Sequence, residues 1–342
     1  MQKRTLGRTG VMVSPICLGT MMFGGQTNQK DSARIISHAF DNGVNFIDTA
    51  DVYCKGDSEV IVGKAIRKNR DQWVLASKVG LGMNMMPDGG GLSRHYVMNA
   101  LEASLKRLGT DVIDIYYVHR HDPRTEMEET VRAFGDMIAA GKIRYWALSN
   151  VRAWHIAHYM GLCRALNVPQ PIALQPYYNL LNRMPEVEHI PAAHHFGMGV
   201  VPYSPIARGL LTGKYAKGAK PPAGSRAARK DPRFMSTEWR DESLAVVEKL
   251  SAHVAGQRRS LVHFAVAWLL NNAAISSVIA GPRTMEQWKA YLGAEAYPWS
   301  AADEKLVDSL VTPGQPSTPG YFDPKEPAEG RFPVPPAGGG AV

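Results

Sequence analysis

From about residue 15 onward, short apolar runs rich in β-branched and aromatic residues alternate with longer segments of helical periodicity. The runs predict strands over 15–19, 44–48, 73–78, 113–119, 143–149, 172–175, 199–203 and 277–281. Helices fill the gaps, among them 32–42, 58–68, 93–108, 126–140 and 152–166, several opening on Ser or Asp and closing near Gly as capping requires. A repeated strand–helix unit argues for parallel pairing, because only a long crossover returns the chain to the same end of a sheet. Repeated eight times, it predicts an α/β fold of the (β/α)8 barrel type. The competing layout is a doubly wound sheet, but its Gly-x-Gly-x-x-Gly fingerprint is absent: Gly80-Leu81-Gly82 meets Met85 where the third glycine would stand.

Ahead of the first strand, 3–6 and 11–13 flank Gly7-Arg8-Thr9-Gly10, an N-terminal β-hairpin pattern suited to plugging the barrel floor. Eight of the 23 prolines fall between Pro313 and Val342. A barrel domain over 1–312 and an extended Pro/Gly-rich tail over 313–342 without a core of its own are therefore expected.

Composition narrows the function classes. With 45% hydrophobic and 20% charged residues, the 342-residue chain is neither disordered nor a coiled coil. No run approaches the roughly 18 apolar residues of a membrane helix, and the first residues lack the apolar stretch of a signal peptide. Cys17, Cys54 and Cys163 are odd in number and far apart, which fits neither a disulfide framework nor a zinc site. A soluble cytoplasmic protein without a metal is expected. The net charge of +8 is concentrated between Ile206 and Arg240, where nine Lys and Arg stand against Asp231 and Glu238. That stretch lacks the interleaved aromatics and recognition helices of nucleic-acid binders, so a phosphorylated small ligand or a solvated basic loop explains it, with neither nucleic acid nor membrane as partner.

In such a barrel the carboxyl ends of the strands converge on one face whatever their separation in sequence. Asp48 ends the second predicted strand, Tyr53 follows it, Lys78 ends the third and His119 the fourth. Singly, each has an ordinary explanation as a cap, a surface lysine or a core histidine. Together they form a proton-transfer unit. A phenol that titrates near pH 10 becomes a willing donor when an ammonium stabilises the phenolate, and a buried ammonium needs a carboxylate to stay charged. Such a group suits protonation of an oxygen that gains electron density as hydride reaches carbon.

The chain resembles the aldo-keto reductases, and within them the bacterial long-chain branch that is also similar to potassium-channel β subunits. The resemblance covers about residues 3–312. It rests on Leu18-Gly19-Thr20-Met21, the run from Asn45 to Tyr53 that contains Asp48-Thr49-Ala50-Asp51, Ser58-Glu59, Ala76-Ser77-Lys78, the strand ending in His119, Leu148-Ser149-Asn150, Tyr203-Ser204-Pro205 and Gly209-Leu210-Leu211-Thr212-Gly213-Lys214. It implies Tyr53 as general acid, Lys78 and Asp48 as its tuning pair, and His119 as the residue that positions a carbonyl. It further implies NADPH/NADP+ bound without a Rossmann fold. Gly19, Thr20, Met21 and Asp48 would lie on the cofactor side of the rim, and Ser149, Asn150 and Gln175 would meet the carboxamide. Tyr203 would stack on the nicotinamide ring, and Ser204, Pro205, Leu210 and Lys214 would line the pyrophosphate path. In Gly281-Pro282-Arg283-Thr284-Met285-Glu286-Gln287, the segment from Gly281 to Gln287 would hold the adenosine end, with Arg283 at the 2′-phosphate. One departure stands out: where relatives continue with Glu-Asn, this chain has Ala290-Tyr291, and Tyr291 offers a ring in place of those adenine contacts.

Other signals carry less. His155 and His158 share a helix face without a completing ligand and read as surface chemistry; His121, His194, His195 and Cys54 receive no role. Met21, Met22 and Phe23, with Met83, Met85 and Met86, suit a roomy mouth for an apolar, fairly bulky aldehyde or ketone, or else pack loops together. Three functions follow: an NADPH-dependent carbonyl reductase, a cofactor-binding regulatory module with little turnover, or a barrel aldolase with Lys78 as Schiff-base lysine.

Overall fold

The computed structural model describes residues 1–82, 90–257 and 259–325. The chain begins with a short antiparallel hairpin, β1 (Arg4–Thr5) and β2 (Met12–Val13). Eight parallel strands follow: β3 (Ile16–Gly19), β4 (Phe46–Asp48), β5 (Val74–Val79), β6 (Ile113–Val118), β7 (Ile143–Ser149), β8 (Ala173–Gln175), β9 (Gly199–Val200) and β10 (Val278–Ala280). Neighbours pair in chain order and β10 returns to β3, with Val278 opposite Ile16. Closure on the other side runs from Ser276 N to Val200 O (2.9 Å) and from Ile279 N to Pro202 O (3.0 Å). The sheet is thus a (β/α)8 barrel, as the strand–helix alternation predicts.

Side chains alternate between two cores, the consequence of a period of two in strands buried on both faces. Cys17, Phe46, Ala76, Tyr117, Ala147, Ala173, Val201 and Ile279 fill the lumen. Leu18, Ile47, Leu75, Tyr116, Trp146, Leu148 and Val278 face the helical layer. The most apolar helix, Leu261–Leu270, is buried along nearly its whole length. Among the described residues, no helix is long and apolar enough to cross a membrane.

The hairpin closes the floor. Leu6 and Val13 are fully buried in the lumen cluster, and Arg8 N bonds Gly197 O at 2.8 Å. Thr9 Oγ1 tightens the turn by donating to Leu6 O (2.7 Å) and accepting from Val11 N (3.1 Å). Gly7 sits at φ +60° with backbone atoms of Gly197 and Gly199 where a Cβ would stand.

The seventh strand is shorter than the predicted 199–203. Pro202 has no N–H to offer, and regular pairing gives way to single bonds such as Tyr203 N to Pro176 O (3.0 Å). Of the expected tail, residues 313–325 lie across the barrel: Ser317 N reaches Leu181 O (2.9 Å), Arg240 Nε reaches Thr318 Oγ1 (2.7 Å), and Asp323 pairs with Arg233. Met83, Met85 and Met86 lie outside the described residues.

Because Gly7 combines a left-handed backbone with contact on a neighbouring main chain, Gly7→Val is expected to lower stability by about 3 kcal/mol or more. Urea denaturation checks this, and an unchanged midpoint would contradict the seal described above.

Candidate active site

The two-residue period that fills the lumen also builds the mouth. Two positions beyond the lumen residues Phe46, Ala76, Tyr117, Ala147, Ala173 and Val201 stand Asp48, Lys78, His119, Ser149, Gln175 and Tyr203. All six stand one layer higher, at the carboxyl ends of the strands. Tyr53 joins them from the turn after β4, Tyr53–Gly56, in which Cys54 (φ 48°) and Lys55 (φ 58°) hold left-handed conformations that residues with a Cβ rarely adopt.

Lys78 is completely buried. Its Nζ donates to Asp48 Oδ1 at 2.5 Å, to Thr49 O at 2.7 Å and to Tyr53 Oη at 3.2 Å. Three donors meet three acceptors, which is the full capacity of an ammonium. Burial pulls its pKa down, but Asp48 and then Tyr53 outweigh that and hold it above the ordinary lysine range. Lys78 is therefore a fixed positive charge with no lone pair, a poor Schiff-base nucleophile. Asp48 uses its second oxygen to accept from Gln175 Nε2 (3.0 Å).

Because Tyr53 Oη accepts from Lys78, its own proton points away from the lysine and is available to a molecule in the mouth. Burial pushes the phenol up and Lys78 pulls it back, with a net rise, so it keeps its proton at neutral pH. His119 stands edge-on to it, ring centroids 6.0 Å apart. Burial, then Lys78 and Arg120, push His119 well below the ordinary imidazole range, so it is neutral, and no described group hydrogen-bonds its Nδ1. A neutral imidazole and a protonated phenol on one wall can bind and protonate a single oxygen.

These residues open into a cleft of about 650 Å³, within the roughly 300–1,000 Å³ of a small-molecule site. Gly19, Thr20, Met21, Asn150, Gln175 and Tyr203 line its inner end, and Ser204, Pro205, Lys214, Gly281, Arg283 and Gln287 continue outward. Two predicted contacts are turned elsewhere. Leu210 has its side chain in the outer core, and Ser149 Oγ donates to Gln175 O (2.9 Å). Asn150 is also engaged: Oδ1 accepts from Tyr203 Oη (2.8 Å) and Nδ2 donates to His119 O (2.8 Å).

At the outer end, burial and then Arg283, Arg226 and Arg229 lower the pKa of Lys214; burial, Arg229 and Arg226 do the same to Arg283. Cations that repel one another on a cleft wall fit an anionic group, as the phosphates of a dinucleotide require. Ala290 and the buried Tyr291 form part of this end. Reading the strand ends alone misses Arg208, Arg226, Arg233 and Lys325 on the cleft wall; the charge excess of 206–240 is the signal that points to the first three.

His155, predicted at the surface, is instead buried: its ring lies 4.0 Å from that of His121 and 3.8 Å from that of Trp154, and Nδ1 accepts from Arg152 N (2.9 Å). Among the described residues no group of three or more His, Cys, Asp or Glu is arranged to hold a metal ion.

Residues 15–312 match the model of the aldo/keto reductase family. The chain is 38% identical over 287 residues to a probable voltage-gated potassium channel subunit beta of Oryza sativa subsp. japonica, covering 82% of this chain and 87% of the relative. It is 37% identical over 298 residues to the uncharacterized oxidoreductase YrpG of Bacillus subtilis, covering 84% and 89%. A probable channel subunit beta of Arabidopsis thaliana matches at 37% over 286 residues, 82% and 87% of the two chains.

Behind the rim, Asp51 is buried beside Glu59, and its Oδ2 has no hydrogen-bond partner among the described residues. Glu59 accepts from Ser77 Oγ (2.5 Å) and Arg107 Nε (2.7 Å). Burial and then Glu59 raise the Asp51 carboxyl to about 8. An unfolded Asp titrates near 3.9. Between those values the folded chain binds the extra proton, so this residue lowers stability progressively as pH rises from about 4 to about 8. Asp51→Asn should therefore raise the melting temperature more at pH 9 than at pH 5, as differential scanning fluorimetry would show; equal shifts would contradict a protonated Asp51.

Proposed function

Because this chain belongs to the aldo/keto reductase family, and is an oxidoreductase on that ground, we propose that it is a cytoplasmic NADPH-dependent reductase of aldehydes and ketones. The single observation that carries this reading is the saturated Lys78 ammonium, which accepts nothing and directs the Tyr53 proton toward the mouth. When bound, the dihydronicotinamide supplies hydride to the carbonyl carbon. Tyr53 donates its proton to the carbonyl oxygen as negative charge collects there. Lys78 stabilises the phenolate left behind, and Asp48 keeps Lys78 charged. His119, neutral, holds the oxygen by a ring N–H. Run backward, the same groups take the alcohol proton when NADP+ and alcohol are in excess.

On this reading Tyr203 stacks under the nicotinamide, Gln175 and Asn150 orient its carboxamide with Ser149 behind them, and Gly19, Thr20 and Met21 close the near side. Ser204, Pro205, the Leu210 turn and Lys214 follow the pyrophosphate, and Gly281 to Gln287 wraps the adenosine end. Arg283 meets the 2′-phosphate, a preference supported by the repulsive cluster it forms with Lys214, Arg226 and Arg229. Met21, Val52 and Leu81 at the inner end support an apolar, fairly bulky substrate. The competing reading, a regulatory module with little turnover, predicts tight NADPH binding without reduction across a broad carbonyl panel.

Tyr53→Phe is expected to lower kcat for NADPH oxidation with a reactive aldehyde by about 10²-fold or more, while NADPH affinity by fluorescence titration stays within about threefold. Turnover equal to the unaltered enzyme would exclude Tyr53 as the acid. Arg283→Ala is expected to raise KM for NADPH about tenfold, in line with loss of one charge-assisted contact, and to leave KM for NADH nearly constant; equal changes for both would remove Arg283 from the 2′-phosphate.

A further inference from the structure

The Tyr203 ring does not stand alone. It stacks on Tyr177, with centroids 5.6 Å apart and planes inclined by 28°. Tyr177 Oη donates in turn to Glu238 Oε1 at 2.5 Å. Glu238 follows the short helix Pro232–Thr237 in the basic segment and is fully buried. Its Oε2 has no hydrogen-bond partner among the described residues. Arg208 Nε lies 3.6 Å from the carboxylate, and Arg208 itself lines the cleft from a run of left-handed residues, Ala207 (φ 46°), Arg208 (φ 52°) and Gly209 (φ 101°).

A buried carboxylate with one bare oxygen is costly, and so is a left-handed backbone at two consecutive residues that carry a Cβ. What the two features achieve together is positional: a single carboxylate touches the ring that backs Tyr203 and the cation that faces the cleft. On the far side Tyr203 is tied to Asn150, and Asn150 to the His119 carbonyl. The series Arg208, Glu238, Tyr177, Tyr203 and Asn150 therefore spans the cleft wall from the basic segment to the catalytic rim.

We infer that Glu238 and Tyr177 are positioning residues of the dinucleotide site, holding the Tyr203 ring in place so that the nicotinamide contact is set by one buried carboxylate. The inference rests on the proposed cofactor reading. It is specific to this chain's own side chains and needs no movement of the barrel.

Two mild substitutions in the full-length protein test it: Tyr177→Phe keeps the stacked ring and removes the hydroxyl, and Glu238→Gln keeps the shape and removes the charge. Each is titrated with NADPH and with 2′,5′-ADP, which has the adenosine phosphates but no nicotinamide. Loss of one hydrogen bond to a charged group corresponds to a weakening of NADPH binding of about tenfold. For 2′,5′-ADP a change within about twofold is expected. The double variant should be no more than about twofold weaker than the worse single one, because both changes break the same link. KM for NADPH should rise about tenfold while kcat at saturating cofactor falls less than about threefold. Unchanged NADPH affinity, equal losses for both ligands, or fully additive effects would each overturn the inference while leaving the cofactor reading intact. Failure of the unaltered protein to bind NADPH would overturn both.

Discussion

The active rim depends on keeping one ammonium charged where no water reaches it. An isolated Lys78 in that position would lose its proton; with Asp48 at 2.5 Å it becomes a permanent cation whose three N–H groups are spent. The direction of every neighbouring hydrogen bond follows from this. Tyr53 must accept from it and so must donate elsewhere, His119 beside it must be neutral, and Gln175 completes the carboxylate. The parallel barrel is what makes the arrangement cheap to specify, since Asp48 and Lys78 extend adjacent strands one layer above the lumen residues Phe46 and Ala76.

Strain is distributed to match. Of the residues with a Cβ in left-handed conformations, Cys54, Lys55, Asn150, Ser204, Ala207 and Arg208 all belong to loops at the mouth. Conformations of this kind persist only where surrounding contacts over-determine them. Here the contacts are Asn150 locked between Tyr203 and His119, Ser204 O accepting from Asn179 Nδ2 at 3.0 Å, and Arg208 held near Glu238.

How much of this is legible in the chain depends on the distance between cause and effect. The strands announce themselves because both faces of each are apolar, and the rim residues are found by counting to the last polar position of each strand. That reasoning reaches Asp48, Lys78 and His119, while Gln175 and Tyr203 come only from the family resemblance. It fails where tertiary contact decides. Tyr177 and Glu238 are 61 residues apart and meet only through the fold. His155 looks like half of a surface pair until the helix is docked and its ring falls against His121. The left-handed residues Cys54, Lys55, Ala207 and Arg208 are hard to read from the chain because each carries a Cβ, and only the glycine after each pair, Gly56 and Gly209, hints at the turn. Composition does better than motif in one respect, since the basic excess of 206–240 already points to the cleft wall that Arg208, Arg226 and Arg233 form.

The plugged floor has a consequence for traffic. With Leu6 and Val13 beneath a lumen already filled by side chains, the described residues leave no passage through the floor, and Tyr53 is reached from the mouth. The side from which the rim is reached is thus fixed in part by a hairpin at the opposite end of the molecule.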